Sequence, residues 1–253
     1  MSALGEPARF ESARFVLYDF SQAPQSLIDS MLARLELDYE RVAGFLPDFE
    51  APSRVAAHIL PGNGIPYVEP FEATLNQFRN DLSFDYFVHQ LTHLWTGYTQ
   101  RPFLEEGIAV YATERLLPGV EASPFYRQPP HAWVSLFREN DALIALPVTW
   151  SASNFDWSYS GSTADASVWQ VFVEAGSFTR WVFDAFGRET WRALYDTEGL
   201  EPTLGQTPEA LQAEWLSAAV AAYPSPLPCE DALAPLTSRR EFWCLLANGS
   251  TTP

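Results

Sequence analysis

Two histidines set four residues apart, in His89-Gln90-Leu91-Thr92-His93, are the side chains of this sequence best placed to do chemistry. On a helix that spacing puts both imidazoles on one face, where they can grip a single metal ion. In the pattern H-E-x-x-H, the residue after the first histidine is a glutamate that takes a proton from zinc-bound water. Here it is Gln90. An amide keeps the shape of the carboxylate but has no basic oxygen, so it can hold a water and cannot deprotonate it. Beyond His93, the segment Phe103-Leu104-Glu105-Glu106-Gly107-Ile108-Ala109-Val110-Tyr111 offers paired carboxylates. A carboxylate from a second helix completes a His₂Glu ligand set and leaves one position for water.

Several elements must hold these groups. Residues 14–20 and 54–60 read as strands, and 71–78 as a third strand near the sheet edge. Residues 25–43 carry Leu27, Met31, Leu32, Leu35, Tyr39 and Val42 at helical spacing. The histidine pair falls on a helix over 82–95 with Asp81 or Ser83 as cap, and Pro102 opens the next helix, which runs to about Leu117. Residues 118–162 are rich in Pro, Ser and aromatics and show one short helix near 131–138. Helices then cover 164–186, 188–195 and 207–222, the last capped by Thr207 with Pro208 behind it. The sequence predicts an α+β chain, residues 1–222, with a small strand-containing N-terminal lobe (about 12–97), an all-helical lobe (about 98–222) and the metal site between them. A Pro-rich tail, 223–253, carries both cysteines.

Composition narrows the choices. The chain has 253 residues, 47% hydrophobic and 19% charged, which fits a globular protein. A formal charge of −17 disfavours nucleic acid and anionic membrane as partners. All 15 basic residues are arginines, so lysine Schiff-base and P-loop chemistry are excluded. No apolar run is long enough to span a membrane, and residues 1–14 show no signal-peptide core. Cys229 and Cys244 read either as a disulfide, which favours an extracytoplasmic location, or as two unrelated thiols.

Taken in order, the linked motifs resemble the gluzincin zinc metallopeptidases, the thermolysin- and aminopeptidase-like group, especially compact bacterial peptidase-MA-like members. His89-Gln90-Leu91-Thr92-His93 stands where that family has His-Glu-Leu-Thr-His. The run from Phe103 to Tyr111 is similar to its Trp/Phe-Leu-x-Glu-Gly-x-Ala-x-Tyr helix. Ala175-Gly176-Ser177-Phe178-Thr179-Arg180-Trp181 looks like a later core helix beneath the active site. The resemblance covers roughly residues 12–222 and implies a zincin-like (thermolysin-like) fold, Zn²⁺ as cofactor, and His89, His93 and Glu106 as ligands.

Two departures bear on activity. Gln90 replaces the general base, and Phe172 stands where the family often carries a tyrosine that hydrogen-bonds the oxyanion. A lost oxyanion donor costs about 3–4 kcal/mol of barrier, and a lost general base a further ~10²–10⁴-fold. The resemblance then implies a zinc-binding homologue of weak or silent catalysis, a pseudoenzyme that keeps a cleft for a peptide or protein segment. An active zinc peptidase stays open as the alternative, with Glu105 as substitute base or Tyr159 as substitute donor. A third reading is an interaction domain whose histidine pair holds no metal.

Other residues have plainer readings. His58 and His131 read as ordinary surface or satisfied histidines. Glu114, two turns beyond Glu106, reads either as a partner for a ligand histidine or as a solvated charge. Trp133, Trp150, Phe155 and Trp157 either line a groove or cover the helical lobe. The triplet Asn248-Gly249-Ser250 fits a glycosylation acceptor but is too short to weigh.

Overall fold

The computed structural model describes residues 6–62, 67–69, 72–78, 87–97, 99–117, 128–151 and 163–232. It is a mixed α+β chain, mostly helical with one small sheet, and Cα packing divides it into two compact units. The first comprises residues 1–98 with 115–117, the second residues 99–114 with 118–253.

The first unit is built on strands β1 (Ala8–Glu11), β2 (Phe15–Asp19), β3 (Val55–Leu60), β4 (Tyr67–Glu69) and β5 (Thr74–Phe78), in the order β1-β2-β3-β5-β4. β2, β3 and β5 run parallel, and β1 and β4 close the edges antiparallel. Side chains alternate across the pleat, so one register row, Leu17–Ala57–Leu75–Val68, is buried across four strands. The carboxylate of Asp19 turns the chain out of β2 by accepting from Ser21 N, Ser21 Oγ and Ala23 N at 2.7–2.8 Å. Helix α1 (Gln25–Phe45) then buries Ile28, Met31, Leu35, Tyr39 and Val42 along one stripe. Helix α2 (Phe87–Thr96) packs against α1 and the β4–β5 end of the sheet.

In the second unit the described residues form helices alone: α3 (Pro102–Leu116) as far as Glu114, α4 (Pro130–Glu139), α5 (Leu146–Ser151), α6 (Thr163–Phe186), α7 (Arg188–Thr197), α8 (Leu200–Leu204), α9 (Pro208–Ala222) and α10 (Cys229–Ala232). Phe178 on α6 is the hub of its core, edge-on to Trp150 and Trp215 and tilted against Phe103 and Trp181. Thr207 caps α9 through Ala210 N, as its sequence signal predicts. Cys229 is buried and disulfide-bonded; the chain's other cysteine, Cys244, lies outside the described residues.

Several elements differ from the sequence reading. The strand at the end of 71–78 is not an edge: β4, outside it, takes that place. β1, β4, α5, α8 and α10 have no counterpart in that reading, because each is six residues or fewer and too short to show a period. Asp81 and Ser83, the expected caps of α2, lie outside the described residues, as do Phe155, Trp157 and Tyr159. Among the described residues, no helix is long and apolar enough to cross a membrane.

A candidate metal centre

Helix α2 is buried from Phe87 to Trp95, an uncommon setting for a segment with two histidines, a glutamine and a threonine. Its threonines satisfy themselves: Thr92 Oγ1 donates to Val88 O at 2.7 Å and Thr96 Oγ1 to Thr92 O at 3.1 Å. Gly97 ends the helix at φ +68°, with its N–H on His93 O at 2.9 Å, a left-handed cap that glycine adopts without strain. Trp95 packs edge-on to Tyr39 at 4.5 Å and anchors α2 against α1.

On this scaffold the imidazoles of His89 and His93 meet Nε2 to Nε2 at 3.1 Å, their rings inclined at 77°. One shared proton, or one cation between two lone pairs, reconciles two such nitrogens. An ion about 2.0–2.1 Å from each would hold them roughly 3.3 Å apart at a tetrahedral angle, close to the spacing seen.

Glu106 sits in the first turns of α3, whose start is fixed by a web of contacts. Arg101 caps the helix through Leu104 N at 2.9 Å, and its guanidinium reaches Trp150 O at 3.2 Å. The carboxylate of Glu105 accepts from Thr99 N, and Gln100 N donates to Glu198 at 2.8 Å. Further along α3, Glu114 accepts from Arg180 Nη1 at 2.6 Å. This partly buried ion pair replaces the solvated charge that is one of the two sequence readings of Glu114.

Donor atoms of His89, His93 and Glu106 all lie within 4.8 Å of one another, and all three residues are buried. Two imidazoles and a carboxylate are the donor set of a His₂Glu zinc site, and two of them already stand at chelating distance. The residues therefore fit a divalent transition metal. Gln90, next to His89 in sequence, is buried as well. Phe172 is half-buried on α6, one helical turn before the Ala175–Gly176 pair that packs on α3.

His131 belongs to a different arrangement. Its Nδ1 lies 2.8 Å from Ser177 Oγ, which accepts from Trp215 Nε1 at 2.9 Å, so one buried chain links α4, α6 and α9. Burial, with Arg180 adding to it, pushes its pKa from 6.5 down to about 3. It is a satisfied core histidine. His58, on β3, faces Asn76 Oδ1 at 2.9 Å through Nδ1 and packs edge-on to Tyr18 and Phe20. Sequence reasoning missed Glu174, a carboxyl wholly buried on α6 and held by Ile144 N and Gln170 Nε2; a lone glutamate in an apolar helix carries no signal of its partners. Compared with protein-family models and with curated proteins, the chain matches none.

Proposed function

We propose that this chain is a zinc-binding protein of zincin-like fold, a gluzincin metallopeptidase homologue whose catalysis is weak or silent and whose retained cleft binds a peptide or protein segment. The observation that carries the reading is the buried His89–His93–Glu106 group, a chelating trio from two helices in the order the motifs predict. A parallel-centred sheet with antiparallel edges, succeeded by a helical unit, is compatible with that fold. Zinc bound there supplies a Lewis acid that polarises a carbonyl and acidifies water.

Whether such a water can react depends on the chain's own residues. His89 and His93 donate through Nε2, and Glu106 contributes negative charge that favours a dication over the two imidazoles alone. Gln90 can hold a water by its amide but cannot take its proton. Phe172 offers a ring without a hydroxyl, so it stabilises no developing oxyanion. Glu105, the candidate substitute base, has its carboxylate engaged by the Thr99 N–H at the start of α3.

Repair tests the reading. The unaltered chain should show negligible cleavage of unstructured peptides. Gln90→Glu with Phe172→Tyr should exceed either single change, since base and oxyanion donor act in one step. Robust, chelator-sensitive proteolysis by the unaltered chain would reject silence and shift attention to Glu105→Gln and Tyr159→Phe.

A further inference from the structure

Helices α3 and α6 meet at two glycines in a manner that leaves no room for a side chain at either. A Cβ on Gly107 would stand 2.4 Å from Thr179 Oγ1 and 2.7 Å from the backbone oxygen of Ala175. A Cβ on Gly176 would stand 2.1 Å from Val110 Cγ1 and 2.8 Å from Val110 Cβ. The first obstruction is partly backbone, and the second is a β-branched side chain whose rotamer is stiff. Neither can step aside without moving a helix. The contact is reciprocal: α3 supplies a hole at Gly107 and a knob at Val110, and α6 supplies the knobs Ala175 and Thr179 and a hole at Gly176. Two interlocks, close together on α3, fix that helix on α6 in both rotation and translation. A seam packed this densely has no slack to take up an added methyl.

Glu106 is the residue immediately before Gly107 and one helical turn before Val110, so it inherits the position that the seam imposes. The geometry points to Gly107 and Gly176 as positioning residues for the metal ligand Glu106: the glycine seam sets where its carboxylate stands. This rests on the metal-binding reading above. It adds that the third ligand is aimed by helix packing, not only by its own rotamer. A ligand must be held within about 0.5 Å of productive geometry, and a displaced helix exceeds that. Loss of a supporting contact behind a ligand typically costs about 10–100-fold in metal affinity.

The test measures Zn²⁺ dissociation constants by chelator competition, and Co²⁺ absorption spectra, on the full chain. The variants are Gly107→Ala, Gly176→Ala, the paired Gly176→Ala with Val110→Gly, and the control Gly44→Ala, whose added Cβ meets nothing within 4 Å. Unfolding of each apoprotein by urea is monitored in parallel. Gly107→Ala and Gly176→Ala should each weaken Zn²⁺ about 10–100-fold in the folded protein and alter the Co²⁺ bands, with Gly44→Ala unchanged. Val110→Gly in the Gly176→Ala background should recover most of the affinity, because it removes both the Cγ1 and the Cβ that the new methyl would meet and so moves the knob across the seam. If Gly107→Ala does not fold, the Gly176 pair decides alone. Variants that lose apoprotein stability yet bind Zn²⁺ as the unaltered chain does would overturn the inference and leave metal binding intact. Failure of the unaltered chain to bind Zn²⁺ would overturn the metal-binding reading itself, and the positioning role with it.

Discussion

Glu174 makes the stability of this protein depend on pH in a direction opposite to that of most carboxylates. It lies on α6 with no exposed surface; Oε1 accepts from Ile144 N at 3.1 Å and Gln170 Nε2 at 2.8 Å, and Oε2 has no hydrogen-bond partner among the described residues. Burial pushes its pKa from 4.5 up to about 8, while the two hydrogen bonds pull more weakly the other way. Between those values the folded chain holds a proton that the unfolded chain has released. The contribution is therefore fully present below about pH 4.5 and is lost as pH rises through about 8. At about 1.4 kcal/mol per pH unit, the interval corresponds to at most about 5 kcal/mol, an upper bound because local opening admits water. Glu174→Gln keeps an oxygen for Ile144 and Gln170 and removes the ionisation. Urea unfolding of both chains from about pH 5 to about 9, with EDTA present, measures the difference. The two should agree within about 1 kcal/mol at the acid end, the scale of one ordinary hydrogen bond. At the alkaline end the variant should be more stable by several kcal/mol, within that bound of about 5. A gap that stays constant across the range would refute the reasoning.

Acid acts through another group. His131, held near 3 by burial, stabilises the fold above about pH 6.5 and loses that contribution as pH falls, by about 3 kcal/mol near pH 4. His131→Gln should flatten the acid limb of the same urea series, and an unchanged limb would count against it. The disulfide at Cys229 ties down the end of the chain next to a segment docked by Leu227 N on Gln128 Oε1 at 2.8 Å. Cys229→Ser, or reduction, should cost roughly 3 kcal/mol in the chain-entropy account of such bonds. Equal urea midpoints with and without reductant would contradict that.

How far an interaction reaches along the chain decides whether sequence discloses it. Long periodic segments such as α1, α6 and α9 declare themselves, because their apolar stripes repeat over several turns. The histidine pair is legible for the same reason: i, i+4 spacing needs only one helix. Glu106 needs the order of a second motif, and its proximity to the histidines is a tertiary fact. The polar chain His131–Ser177–Trp215, the Glu114–Arg180 pair and the setting of Glu174 join residues far apart in sequence and leave no local trace. The glycine seam shows the same limit. Gly107 and Gly176 are visible as letters within motifs, but the 2.1–2.7 Å approaches that forbid a Cβ belong to packing alone.

The central claim is that His89, His93 and Glu106 hold one zinc ion. Its most direct test is a Zn²⁺ titration of the full chain beside His93→Ala and Glu106→Gln, with metal content counted by elemental analysis after dialysis. One equivalent should bind the unaltered chain, weaken severely in His93→Ala and weaken in Glu106→Gln. Uptake of well under one equivalent, or binding indifferent to both substitutions, would contradict the account.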